Sequence, residues 1–300
     1  MPVGVGKRFG ESGAGTLAAS IAYYGFFSLF PLLMVLASIA SFVMEGRADL
    51  QERLLRSALS QFPVIGTQIR EEVRSIEGSG LAVVIGMALT AWAGLGGIRA
   101  AQGAMDTIWD VPRKHRPGFV ASAGRASLLL AVLGAFVVGG AALAGVAAAS
   151  GPVGATLGLV ASGALNVAMF ALAYRILTAA GLSWRAVAPG AALAGLAWTV
   201  LLAVGGFIVE ARVASSSDVY GTFALVIGLL GWIYLGAQIT LLGAELNVVL
   251  AERLWPRSLQ GSDLTDADRR ALRRSAGQEE RRHEETVSVA FEGERQSTVD

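Results

Sequence analysis

The chain has 300 residues, of which 54% are hydrophobic and 16% charged, and its formal net charge is +1. This balance is far more apolar than that of a soluble domain, and so small a net charge gives no indication of a nucleic-acid partner. Because the chain contains no cysteine, disulfides, thiolate catalysis and cysteine metal sites are excluded.

Five stretches of the sequence carry no charged residue, and each is longer than the roughly 20 apolar residues that a helix needs to cross a bilayer. They are residues 12–44, 78–98, 126–174, 186–209 and 219–244. The third is long enough for two helices, and Gly151-Pro152 near its middle predicts a tight turn between them. The sequence therefore predicts an all-α, polytopic membrane protein with six transmembrane helices, at about 18–44, 79–99, 126–149, 154–175, 186–209 and 219–247.

The first apolar stretch is too long for the h-region of a cleaved signal peptide, so we expect it to remain as the first transmembrane helix. It contains a candidate helix break at Tyr23, Tyr24, Ser28 and Pro31. A proline inside a transmembrane helix frees a backbone carbonyl and can kink the helix. Such breaks occur at transporter sites and also in inert bundles, so the sequence leaves the role of this one open.

Residues 45–77, between the first two spans, have the pattern of two amphipathic helices. Apolar residues recur at helical spacing on either side of Phe62-Pro63, and charged residues occupy the other faces. The six acidic residues of this segment outnumber its five arginines. Because a helix that lies on a membrane surface usually has a strongly basic polar face, we expect this pair to cap the outer end of the bundle.

The distribution of basic residues indicates the topology. An even number of spans places both termini on one side, and the segments on that side carry eleven basic residues before the far tail, against six on the other side. The positive-inside rule therefore favours cytoplasmic termini and a transmembrane domain over residues 1–255. We expect residues 256–300 to be a polar, largely disordered cytoplasmic tail, with a short helix from Asp263 to Arg274 that Thr265 or Asp266 caps.

Polar side chains near the inner ends of the predicted spans form a candidate cluster within the membrane. They are Arg99, Gln102, Asp106, Arg175, Gln238, Glu245 and Asn247. An ionisable group in a transmembrane helix is expensive, so it usually faces a partner or a water-filled cavity. We predict that Glu245 pairs with Arg99 or Arg175, and the pair would either clamp the helices together or line a transport cavity.

Three blocks of the sequence together resemble the YihY/BrkB family of bacterial inner-membrane proteins, over roughly residues 10–252. The first is AASIAYYGFFSLFPL at 18–32. The second contains MDTIW at 105–109 and the basic loop RKHR at 113–116. The third contains YGT at 220–222, WIY at 232–234 and GAELN at 243–247.

The resemblance implies a six-helix fold in the bacterial inner (cytoplasmic) membrane, with both termini in the cytoplasm. It also implies a role connected with envelope integrity or with the movement of envelope lipids. The expected partners are membrane lipids, with an envelope lipid or a small solute as cargo. Glycine-rich helix faces suit contacts within one copy or between copies, so a homo-oligomer stays open.

The family was once labelled as ribonuclease, and the residues of this chain argue against that activity. Hydrolytic RNA cleavage needs a metal cluster or a positioned acid and base. The chain has two histidines, without the His-x-His or His-x-x-x-His spacing of a metal site, and no soluble domain large enough for an RNA channel. We therefore expect no enzyme activity, no catalytic residue, no metal or other cofactor, and no nucleic-acid partner.

Two functions remain. The sequence favours an envelope-related transporter or lipid-translocating permease, and the alternative is a non-transporting scaffold or assembly factor for envelope integrity. There is no G-x-x-x-x-G-K-[ST] pattern, so transport would draw on a gradient, a separate ATPase or passive exchange.

Overall fold

The computed structural model describes residues 1–43, 96–213, 221–258 and 264–291, and all regular secondary structure in these ranges is helical. A short 3-10 helix covers Arg113–His115, and we give the name α3 to the helical backbone at 96–108. The other helices are α1 (Pro2–Glu11), α2 (Ala14–Val43), α4 (Phe119–Ala149), α5 (Gly151–Leu177), α6 (Trp184–Val213), α7 (Gly221–Ala251) and α8 (Asp266–Gly277).

Within the described ranges, four helices are long and apolar enough to cross a membrane: Phe119–Ala147, Gly151–Leu177, Trp184–Gly205 and Val226–Ala251. They correspond to the third to sixth predicted spans. Helix α2 covers the predicted first span, 18–44, except for its last residue. Only the last four residues of the predicted second span, 79–99, are described, and the predicted cap at 45–77 lies outside the described residues.

Glycine in the left-handed backbone region makes two of the tight connections. Gly151 has φ +65° and Pro152 lies in the first turn of α5, so the predicted turn between the third and fourth spans is confirmed. Gly13, also at φ +65°, turns the short helix α1 into α2. This second turn folds α1 back toward the bundle, where it packs on both α2 and α7.

The long helices pack in a row: α4 on α5, α5 on α6, α6 on α7, and α7 on α2. The closest approach is between α6 and α7. A side chain at Gly190 of α6 would collide with the carbonyl oxygen of Gly243 on α7, so only glycine fits there. Pro189 lies inside α6, and the N–H of Gly190 next to it donates to Asn247 Oδ1 at 2.6 Å. This contact fixes α7 against α6 near the end of the bundle where α1 and α8 lie.

The segment after α7 contains a short helix that packs against the bundle. The predicted short helix is confirmed as α8, and Thr265 caps it in a capping box with Asp268. Ala267 and Ala271 are buried on its inner face. Ion pairs with distant residues, such as Lys7 to Asp268 and Asp110 to Arg274, hold this helix to the bundle, and disorder in the rest of the tail stays a prediction. Residues 292–300 lie outside the described residues.

The close approach of α6 and α7 gives a test of the packing. Gly190→Ala should destabilise the protein by about 1–3 kcal/mol, the usual range for overpacking a core, because the new methyl group meets the backbone of Gly243. Gly163→Ala in α5 is the matched control, since a side chain there meets nothing within 4 Å. Thermal unfolding in detergent should show a lower melting temperature for Gly190→Ala alone; equal temperatures would contradict the close contact.

Candidate functional site

The buried charge network consists of Arg8, Asp110 and Glu245, and it lies where α1, the end of α3 and the end of α7 meet. We call this end of the bundle the terminal end. Arg8 is 4% exposed and Glu245 is completely buried. Arg8 is the partner of two carboxylates. Its Nη2 lies 2.7 Å from Asp110 Oδ2, and its Nε lies 3.0 Å from Glu245 Oε2.

Hydrogen bonds hold each end of this network in place. Ser12 Oγ donates to Glu245 Oε1 at 2.5 Å, and Arg8 Nη2 also donates to the carbonyl oxygen of Ile108 at 2.6 Å. Arg8 Nε and Glu245 Oε2 are close but are not aligned for a hydrogen bond, so this contact is mainly a charge interaction. Buried charges of this kind persist only when they are paired, so the network ties three separate elements together.

The carboxylate of Asp110 reaches Arg8 because of how α3 ends. The N–H of Val111 donates to the carbonyl of Asp106 at 2.8 Å, and that of Asp110 donates to Thr107 at 3.1 Å. This is the Schellman motif, and Asp110 occupies its left-handed position with φ +52°. Aspartate is one of the few residues other than glycine that visits this region routinely.

The segment after α7 completes the network from the outer side. Arg274 Nε lies 3.3 Å from Asp110 Oδ2, and Arg274 Nη1 lies 2.8 Å from Glu252 Oε2. Gln278 Nε2 donates to Asp110 Oδ1 at 2.6 Å. A second cation, which comes from α8, therefore balances the second carboxylate.

A second cluster anchors α8 to α1. Asp268 Oδ1 accepts hydrogen bonds from Arg257 Nε at 2.8 Å and Lys7 Nζ at 2.9 Å, and Arg257 contacts both carboxylate oxygens of Glu11. Burial by itself raises the pKa of Asp268. Hydrogen bonds from the Ser258 N–H, Arg257, Lys7 and Thr265 outweigh it and hold the pKa well below its usual value.

The structure corrects the predicted partner of Glu245. Its partner is Arg8, and the hypothesis that it pairs with Arg99 or Arg175 is wrong. The Arg99 guanidinium lies 4.2 Å from the centre of the Phe119 ring, and that of Arg175 lies 4.1 Å from Trp184. Both arginines are exposed at the rim of the bundle, where stacking on an aromatic ring lets the charge stay in water.

The other predicted polar residues make contacts outside the network. Gln102 and Ser122 are hydrogen bonded to each other between α3 and α4. Asp106 accepts the N–H of Ala179 at 2.8 Å, which ties α3 to the connection between α5 and α6. Asn247 accepts the Gly190 N–H described above, and Gln238 is half-buried on α7.

At the candidate helix break, Tyr23 and Tyr24 are exposed, with ring centroids 5.4 Å apart. Ser28 Oγ donates to the carbonyl of Gly25 at 2.9 Å, within its own helix. The backbone of α2 is helical through Pro31, whose side chain lies outside the described part of the structure. The role of this position stays a prediction.

Sequence reasoning missed Arg8, Ser12 and Asp110. A usable signal was present, because Arg8 and Ser12 are spaced by four in the segment before the first span. The structure also brings together the two histidines of the chain, His115 and His283, with ring centroids 6.3 Å apart on the outer side of the terminal end.

Comparison with known proteins agrees with this architecture. The sequence pattern of the virulence factor BrkB family matches residues 5–266. The chain belongs to this family. No solved structure matches it.

Three relatives show how far the similarity extends. A UPF0761 membrane protein of Chromohalobacter salexigens is 28% identical over 82% of this chain and 62% of its own length. UPF0761 membrane protein Mpe_A1422 of Methylibium petroleiphilum is 31% identical over 79% of this chain and 59% of its own length. The putative ribonuclease-like protein YfkH of Bacillus subtilis is 25% identical over 79% and 90%. The chain thus spans only about three fifths of the two UPF0761 proteins.

The buried charge network predicts strong coupling between Arg8 and Glu245. Removing one partner of a buried ion pair destabilises a protein by about 3–5 kcal/mol, because the other charge stays buried. We expect Arg8→Gln to show such a loss in thermal unfolding, and Arg8→Gln with Glu245→Gln to lose less than the sum of the single changes. Lys7→Gln, next to Arg8 but partly exposed, should cost less. Strict additivity would contradict the pairing.

The second cluster predicts how α8 responds to sequence and pH. Because the pKa of Asp268 is lowered, its contribution is fully present above about pH 3.9, the ordinary value, and is lost as the pH falls toward the folded-state value. Hydrogen exchange of residues 266–277, corrected for its intrinsic pH dependence, should therefore show equal protection at pH 7 and pH 5. Asp268→Asn should reduce protection at both, whereas the exposed neighbour Asp266→Asn should not.

Proposed function

We propose that this BrkB-family membrane protein is an envelope-related transporter, with the buried charge network as the closure of its bundle at the terminal end. The observation that carries the proposal is the Arg8–Glu245 pair. It joins a short helix outside the apolar spans to the last span, through a carboxylate with no exposure to water.

A contact of this kind suits a two-state element. Arg8 lies in α1 and Glu245 in α7, and these two helices are far apart along the chain. The turn at Gly13 joins α1 to α2, so α1 can move away from α7 without unfolding a span. Water that reaches the separated charges would compensate for the lost ion pair. Rearranged ion pairs at a packed interface are a common means of switching between states.

The proposed cargo is an envelope lipid or a small solute, and the proposed location is the bacterial inner membrane with cytoplasmic termini. Four apolar helices and the predicted charge asymmetry support this location. Because the sequence has no P-loop pattern, the energy would come from a gradient, a partner ATPase or passive exchange.

We further propose that the protein is not an enzyme and does not act on RNA, despite the ribonuclease-like name of its Bacillus subtilis relative. The sequence argument against ribonuclease activity relied in part on the lack of a positioned acid and base. That part no longer holds, because His115 and His283 are close together and two imidazoles can serve as acid and base. Both rings are exposed, however, and the neighbouring cation Lys114 is already paired with Glu280 at 2.8 Å. An exposed pair of imidazoles beside a lysine that a carboxylate already engages supports the proposal that no RNA is cleaved here.

A scaffold without transport is the second candidate, and a specific observation favours it. The buried side chains of Gln102 and Asp106 have hydrogen-bond partners within the bundle, and so does Asn247 Oδ1, although Asn247 Nδ2 has none among the described residues. Mutual satisfaction of this kind is expected when polar side chains only hold helices together.

Lipid translocation in proteoliposomes distinguishes the two candidates. Purified full-length protein is reconstituted with a fluorescent phospholipid, and the loss of inner-leaflet label is followed with a membrane-impermeant quencher. If the network is the closure of a transporter, wild type should move lipid faster than empty vesicles. Glu245→Gln, which weakens the closed state, should change that rate at least about tenfold, the effect of about 1.4 kcal/mol on the balance of states.

Glu284→Gln is the matched control, since it removes the same charge from an exposed position. It should transport like wild type. Equal rates for wild type and Glu245→Gln would contradict the role of the network. No transport of labelled lipids or small-solute tracers by folded wild type, across an imposed proton or sodium gradient, would favour the scaffold.

A further inference from the structure

A cleft of about 640 Å³ lies at the terminal end, beside the buried charge network, to which its Glu252 is linked through Arg274. It is lined by Leu250, Glu252, Arg253, Trp255 and Arg270. The residues come from the end of α7, the connection after it and α8. The cleft has no part in the closure proposed above.

The position of the cleft relates it to the membrane surface. The apolar span of α7 ends at Ala251, so the lining begins at the last turn within the span and continues just beyond it. Trp255 is 48% exposed, and tryptophan is enriched where the apolar core of a bilayer meets the headgroups. Leu250 and Trp255 therefore contribute apolar surface to the cleft, and Arg253 and Arg270 contribute positive charge.

The charges of the cleft are unbalanced. Glu252 is engaged by Arg274 at 2.8 Å. Neither Arg253 nor Arg270 forms an ion pair with any residue that the structure describes. Arg270 Nη2 donates one hydrogen bond, to the carbonyl of Arg253 at 2.9 Å, so the Arg270 guanidinium lies against the backbone of Arg253 in the cleft lining. Two guanidinium groups without carboxylate partners offer the donors that a phosphate group accepts.

The backbone at Arg253 is a second, independent observation. Helix α7 ends in a Schellman motif: the N–H of Leu254 donates to Val249 at 3.0 Å, and Arg253 has φ +53°. Glycine is the residue that this position favours, because a side chain in the left-handed region raises the energy of the backbone. Terminating the helix therefore does not by itself account for an arginine at this position.

We infer that this cleft binds the headgroup of an anionic phospholipid from the leaflet at the terminal end. Arg253 and Arg270 contact the phosphate, and Leu250 and Trp255 contact the glycerol and the upper acyl chains. The leaflet facing the cytoplasm is the anionic one, which agrees with the proposed topology. The inference goes beyond the proposed function, because such a site would serve a transporter and a scaffold equally.

The same donors could bind inorganic phosphate, but the apolar surface of the cleft favours a lipid. A free phosphate makes no use of Leu250 and Trp255. Arg99 and Arg175, at the same rim, are different in kind, since each guanidinium covers an aromatic ring of the protein itself. Among these rim arginines, Arg253 and Arg270 are the pair that the structure leaves available to a ligand.

Native mass spectrometry of the full-length protein in detergent tests the inference. The probes are phosphatidylglycerol, phosphatidylcholine and inorganic phosphate, each titrated separately. Wild type should bind phosphatidylglycerol at least about tenfold more tightly than phosphatidylcholine, since each arginine near a membrane surface contributes about a factor of five. Arg253→Gly with Arg270→Gln should abolish this preference. Arg281→Gln with Arg282→Gln, which removes two exposed charges of the same segment outside the cleft, should retain it.

The single variant Arg253→Gly separates binding from folding. Because glycine suits the left-handed position, its melting temperature should equal or exceed that of wild type while its affinity for phosphatidylglycerol falls about fivefold. Unchanged lipid preference in Arg253→Gly and in the double variant would overturn the inference. Equally tight binding of inorganic phosphate, lost in the same variants, would assign the site to a soluble anion instead. Since the readout is binding, a failed transport assay leaves this result intact.

Discussion

The architecture of the terminal end depends on one constraint: charges without access to water have to find partners. Glu245 is completely buried at the end of an apolar helix, so it cannot stay ionised there without a cation. Arg8 supplies that cation, and Arg8 in turn needs α1 to fold back onto the bundle. The turn at Gly13, the left-handed Asp110 and the docking of α8 all serve to bring the remaining partners to this pair.

This dependence explains why the terminal end is so different from the rest of the molecule. The long helices pack through small residues, as at Gly190 and Gly243, where the backbones themselves are in contact. Such packing is specific in shape but uses no charge. At the terminal end, contacts between charged and polar groups hold the elements together, and Arg8, Asp110 and Asp268 each have several partners. Function that involves movement is therefore expected at the terminal end rather than between α6 and α7.

The apolar helices could be predicted from the sequence because hydrophobic length alone defines them, and the turn at Gly151-Pro152 followed from local chemistry. The partner of Glu245 could not, since no periodicity relates residue 8 to residue 245. The role of Asp110 was not predicted because it depends on a residue in the left-handed backbone region at the end of α3. Many different sequences can form such a helix end. The docking of α8 was not predicted because its composition is that of a solvated tail. Asp268 of α8 makes its contacts only because the fold places Lys7 and Arg257 next to it.

The arrangement of the network along the chain has a consequence for biosynthesis. The ribosome makes Arg8 first, Asp110 about a hundred residues later, Glu245 with the last span, and Arg274 last of all. Until the last span has entered the membrane, Arg8 lacks the carboxylate that it finally contacts within the bundle. Asp110 is available to Arg8 before α7 is made and Glu245 is not, so the network is complete only when α7 and then α8 have been added.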